Sequence, residues 1–216
     1  MSKPLRLFVE ETPRRVFVSA LDWPGLARGA KTEDLAVESL VAHLPRYAKV
    51  ARKAGERFDP HDFDIEVVSR TDGDAGSAYG IPSIVAPEDR GAVDRREAKV
   101  LASLVEASWD VFDAVAAKAP ESLRKGPRGG GRDRSKIVEH VTGADGGYAR
   151  SMGIKGDPET AEGLAAIRSA VLEVLGTTSD GSPIADKKWP PRYGARRVAW
   201  HALDHAWEIE DRTERD

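Results

Sequence analysis

Cysteine is absent from this 216-residue chain. That absence excludes disulfides, thiolate metal ligands and a cysteine nucleophile, so any thiol chemistry needs a thiol brought in from outside. Long apolar runs are missing too. No segment approaches the ~20 continuous apolar residues of a membrane span, and the opening stretch MSKPLRLFVEETPRR has neither an apolar h-region nor a small-residue cleavage site. The expectation is a soluble, cytoplasmic protein without a membrane partner. Neither sign of charge dominates: 33 Lys and Arg stand against 36 Asp and Glu, for a formal charge of −3 and a pI near 6.0. No global field therefore draws in nucleic acid, which is not expected as a partner. Internal repeats and low-complexity tracts are also lacking.

What is present suffices to fold. Hydrophobic residues make up 40% and charged residues 32%, far from the composition of a disordered chain. The length exceeds one typical domain of ~100–150 residues, and the pattern divides in two. Leu5–Val9 and Arg15–Ala20 alternate apolar with polar residues around a Glu-Thr-Pro-Arg turn, which predicts a hairpin. Asp22-Trp23-Pro24-Gly25 breaks the pattern. Thr32 then caps a helix running to about Ala54 and stopping at Gly55, with a kink or split at Pro45. Phe63–Ser69 reads as a third strand. The order β-β-α-β makes residues 1–75 a small α+β unit. Residues 76–92, rich in Gly, Pro, Ser and Asp, read as a linker that packs on a neighbour through Tyr79, Ile81 and Ile84.

Residues 93–216 carry four amphipathic helical patterns and are expected to form an all-α four-helix bundle. The first opens on Asp94-Arg-Arg-Glu97, a capping box, carries Leu101, Leu104, Val105, Phe112 and Val115, and ends at Pro120. The second follows Asp133 and aligns Ile137, Val141, Ala144 and Tyr148. Asp157-Pro158 predicts the start of the third, whose stripe Leu164, Ile167, Val171, Leu175 stops at Gly176. The fourth spans about Tyr193 to Arg212.

Two of the five histidines, His201 and His205 in RRVAWHALDHAWEIEDR, are spaced i and i+4 and project from one helix face a turn apart. At 100° per residue they share the face of Val198 and Ile209, which points into the bundle. His140 borders the inward stripe of the second helix. If that helix and the fourth run parallel, His140 and His201 both lie ~10 Å along their helices and the three imidazoles meet in one layer. Each histidine alone reads as a hydrogen-bonded core residue. Together, three buried imidazoles without a common partner cost on the order of 1–3 kcal/mol for each unsatisfied group, whereas one divalent ion satisfies all three.

The pattern His140, then His201-Ala-Leu-Asp-His205, resembles the metal triad of the DinB-like (YfiT-like) metalloprotein superfamily over about residues 93–212. The resemblance implies a four-helix bundle holding a divalent zinc, nickel or manganese ion, with water or substrate completing the sphere. It also implies, for some members, thiol S-transfer or mycothiol-dependent isomerisation. Three protein nitrogens and an open position favour a catalytic ion over a structural one. Glu208 borders the same face as a fourth ligand or general base, and Asp204 is a candidate to orient an imidazole from behind; either also reads as a solvated helix carboxylate.

Basic residues cluster at Arg124, Lys125, Arg128, Arg132, Arg134 and Lys136 and again at Arg192, Arg196 and Arg197. With parallel helices they make a positive mouth for a small anionic substrate; alone, the first cluster reads as a solvated loop. The Gly129–Gly131 run lacks the Gly-Lys-Ser/Thr ending of a phosphate loop. Trp200, Leu203 and Trp207 form a second apolar stripe on the fourth helix and predict an interface with the N-terminal unit or with a second subunit of a homodimer. In the N-terminal unit, PGLARGAKTEDLAVESL is similar to HicB-like domains, with Asp34-Leu35 replacing part of their pattern, which implies an accessory or lid module. Two functions follow as expectations: a metal-dependent hydrolase or thiol-dependent transferase, or a non-enzymatic binding or regulatory protein with a structural or vestigial metal site.

Overall fold

In the computed structural model, which describes residues 4–125 and 131–213, the chain is mixed α/β, with a four-stranded sheet in the N-terminal part followed by helices. Arg128, Gly129 and Gly130 of the basic, glycine-rich segment lie outside the described residues.

Strands β1 (Leu5–Glu11) and β2 (Val16–Ala20) form the predicted hairpin, with Val9 opposite Val18. A strand the alternation did not announce, β3 (Ala27–Ala30), pairs antiparallel with β2. The order is thus β-β-β-α-β rather than β-β-α-β. Four residues, Ala-Arg-Gly-Ala, carry no period-2 signal; pairing with a neighbour makes them a strand. Helix α1 (Glu33–Lys53) is capped by Thr32 as expected, and it passes through Pro45 without a break, so the predicted split does not occur. It leads to β4 (Ile65–Asp72), which lies parallel to β1 and completes the order β3-β2-β1-β4.

The pleat sorts the strand residues onto two covered faces. Leu5, Leu7, Val9, Val16 and Val18 pack against Leu40, Leu44, Tyr47 and Val50 of α1. From the other face, Phe8 meets Ala86 and Ile84, and Phe17 meets Trp200 and Ile81. Part of the expected linker is therefore structured. β4 runs on to Asp72, a short helix α2 (Ala75–Tyr79) follows, and a 3-10 turn covers Pro87–Arg90. Ile81 and Ile84 pack as expected, but Tyr79 is 83% exposed.

Helices α3 (Arg95–Lys118), α4 (Arg134–Ser151), α5 (Ala161–Leu175) and α6 (Pro191–Arg212) surround a core that includes Phe112, Ile137, Val141, Ile167 and Val198. Asp94 caps α3, but Glu97 does not close the box; its carboxylate takes Arg192 of α6 at 2.7 Å instead. α5 begins three residues later than Pro158 suggests, capped by Thr160, while Asp157 closes a turn by accepting from the Glu159 N–H.

The Glu97–Arg192 pair joins the first turns of α3 and α6, so these two run parallel. Gly194 at the start of α6 lies against Met152 at the end of α4, so α4 and α6 run antiparallel. The parallel arrangement entertained from the sequence is thereby corrected. The two basic clusters therefore do not share one end of the helices: Arg124 bonds to the Arg212 carbonyl at the far end of α6, whereas Arg192, Arg196 and Arg197 sit at the near end.

The Trp200 stripe covers the sheet unit of the same chain. Leu203 and Trp207, with Leu104 and Ala107 of α3, enter the cluster built by β1, β2 and α1. Gly25, at φ 95°, lets the loop before β3 settle on α6; a Cβ there would stand 2.7 Å from Leu203 Cδ1. Among the described residues, no helix is long and apolar enough to cross a membrane.

Candidate metal centre

His140 lies in the second turn of α4, His201 at the middle of α6 and His205 a turn beyond it. Because the helices are antiparallel, these unequal depths are what bring them level. The ring centroids form a near-equilateral triangle with sides of 5.0, 5.0 and 4.8 Å. One nitrogen from each ring falls within 4.8 Å of the other two, so among the described residues these three histidines are a group that could hold a metal ion.

The donor geometry can be compared with what an ion requires. Tetrahedral coordination at ~2.0–2.1 Å sets ligand nitrogens about 3.3 Å apart. His140 Nε2 and His201 Nε2 are already 3.2 Å apart. The nitrogen of His205 lies within 4.8 Å of them, a gap that rotation of an imidazole can close.

Protonation also suits ligation. His201 is 6% exposed, and burial, followed by the positive influence of His205, Arg197, His140 and Arg132, pushes its pKa down to about 2. It is a neutral imidazole at any ordinary pH. His140, the most open of the three, is also shifted downward, by burial first and by Arg132 next. The buried His201 Nδ1 finds no partner among the described residues. Its Nε2, the nitrogen that faces the other imidazoles, has His140 Nε2 as its contact.

His205 is oriented from behind. Its Nδ1–H donates to Glu208 Oε2 at 2.7 Å, because a carboxylate can only accept, and this leaves Nε2 with a free lone pair facing its partners. The hydrogen bond from His205 holds the Glu208 carboxyl below its usual range despite partial burial. The other Glu208 oxygen takes Arg212 NH1 at 2.7 Å. Both oxygens of Glu208 are thus engaged, which fits an orienting group better than a fourth ligand. Asp204 turns away and meets Arg28 of β3 at 2.8 Å, with no hydrogen bond to an imidazole. Among the described residues, the carboxylate that hydrogen-bonds an imidazole of the triad is Glu208.

An aromatic wall flanks the centre on the side of the first turns of α6. Tyr148 stands edge-on to His201 with centroids 5.4 Å apart, and Trp189 and Tyr193 continue the wall at 5.5 and 5.2 Å. Sequence reasoning missed Trp189, which lies in an aperiodic Lys-Lys-Trp-Pro-Pro connection. It missed Arg212 as well, although the i, i+4 spacing from Glu208 carries a signal.

No protein-family model matches the chain, and none of the curated proteins or solved structures matches it.

Proposed function

We propose that the chain is a metal-dependent enzyme of the DinB-like (YfiT-like) class, a hydrolase or a thiol-dependent transferase, acting on a small anionic molecule. In this reading the helical half is the all-α four-helix bundle of that class, and residues 1–75 are an accessory module joined to it through 76–92. The observation that carries the proposal is the convergence of three imidazole nitrogens within 4.8 Å of one another, on two helices whose sequence spacing alone does not bring them together.

Zinc and nickel suit imidazole nitrogen, and manganese suits a site where water or substrate adds oxygen. Bound there, the ion supplies Lewis-acid polarisation and an open position for water or an exogenous thiol. The chain's own residues do the rest. His140 and His201, kept neutral by burial, each have one ring nitrogen free to offer a lone pair. Glu208, braced by Arg212, fixes the tautomer and direction of His205. Tyr148 and Trp189 keep bulk water from the His201 side.

The test is elemental analysis of purified wild-type protein beside the His201→Ala, His205→Ala double variant, each with a circular dichroism spectrum. Near-stoichiometric divalent metal in the wild type, lost in a folded variant, is expected. No metal in the wild type even after supplementation, or equal metal in both, overturns the reading.

A further inference from the structure

Arg197 is the arginine of α6 that has no negative partner among the described residues. Arg192 meets Glu97, Arg196 meets Asp89 and Arg212 meets Glu208. Arg197 is only 8% exposed, makes no hydrogen bond or ion pair among the described residues, and has its NH1 nitrogen fully buried and unpaired. Asp89 is taken by Arg196, Asp145 by Trp109 and Arg168, and one oxygen of Glu10 by Ser77, Ser83 and Ile84. A cavity of about 10 Å³ lined by Ser19, Tyr193, Arg196 and Arg197 has room for roughly one water, which can solvate a donor but cannot neutralise a cation. Burying an uncompensated charge is costly even after relaxation. A fold that keeps one has left its counter-ion to come from outside.

The position of Arg197 shows what that counter-ion is near. It precedes His201 by four residues and so stacks one helical turn from it on the same face. Its guanidinium lies over the Tyr148 ring at 5.0 Å, and Tyr148 in turn stands edge-on to His201. Trp200 covers it at 4.8 Å. With aromatic rings against its faces, the guanidinium is left with its in-plane N–H groups, of which NH1 has no partner among the described residues. A guanidinium edge matches the two in-plane oxygens of a carboxylate.

We propose that Arg197 is the anchor for the carboxylate of a small substrate whose reactive end reaches the three histidines, with Tyr148 and Trp189 as the wall along its body. The placement of the reactive end rests on the metal-centre reading; the anion site itself does not. The charge serves ligand binding, and the two ring contacts keep it oriented while the site waits.

The test uses benzoate and its neutral isostere benzamide, titrated into zinc-loaded and chelator-stripped full-length protein and followed by tryptophan fluorescence, since Trp189 and Trp200 flank the site. Wild-type protein is expected to bind benzoate at least tenfold more tightly than benzamide. Arg197→Met and Arg197→Gln are expected to lose that preference while keeping their metal content. Equal binding of the two probes by wild type, no saturable benzoate binding, or a preference that survives in either folded variant overturns the proposal. If neither variant folds, the wild-type ratio decides it. A benzoate preference on wild type that binds no metal, lost on substitution of Arg197, supports the anion site while overturning the metal-centre reading.

Discussion

Asp145 on α4 is 3% exposed and joins three helices: it accepts from Trp109 Nε1 of α3 at 3.1 Å and from Arg168 Nε of α5 at 3.0 Å. It also steadies the helix that carries His140. Two effects oppose each other at this carboxyl. Burial penalises its charged form, while Arg168 and the indole N–H favour it. Burial wins, and the pKa is raised from 3.8 to about 6. A raised folded-state value means that the folded protein holds the proton more tightly than the unfolded chain. The associated stability is therefore fully present below about pH 4 and is lost as pH rises through 6. A shift of roughly two units at 1.36 kcal/mol each makes this about 3 kcal/mol, a sizeable share of the 5–15 kcal/mol of a typical fold. Asp145→Asn cannot ionise. Urea unfolding of wild type and variant at steps from pH 4 to 7.5 isolates the effect, because every other titrating group is common to both. Wild type should lose about 2 kcal/mol relative to the variant between pH 4 and 7. A flat difference, or one of opposite slope, refutes the reasoning; the opposite slope would show that the attraction of Arg168 outweighs burial.

Two further perturbations follow from the site and from its support. Glu208→Ala removes the acceptor that orients His205 and should weaken metal affinity 10–100-fold in a chelator competition, so an unchanged affinity would remove Glu208 from the site's construction. Gly25→Ala puts a Cβ 2.7 Å from Leu203 Cδ1 at φ 95°; it should destabilise by about 1–3 kcal/mol, and a melting temperature equal to wild type would show that the loop does not need its close seat on α6.

Features that depend on the local chain were legible in advance. Thr32 and Asp94 cap their helices because a side-chain oxygen bonds an amide three residues on, an interaction complete within one turn. The hairpin and the i, i+4 histidine pair are local in the same way. Asp157-Pro158 shows the limit: the same residues suit a helix start or a turn, and here Asp157 closes a turn while Thr160 caps α5. β3 shows another, since Ala27–Ala30 has no pattern of its own and is a strand only because β2 offers an edge.

Sequence determined that two imidazoles share one face of α6 and that His140 lies near an inward stripe, because 3.6 residues per turn sorts side chains regardless of what surrounds the helix. Tertiary structure decided the rest. Whether His140 meets that pair depends on helix direction, and the antiparallel seating of α4 on α6 settles it in a way that local periodicity cannot encode. Equally, Asp204 and Glu208 are indistinguishable as exposed helix carboxylates in one dimension. Arg28 from the sheet claims the first and Arg212 braces the second, so the partner across space, not the residue type, assigns each its role.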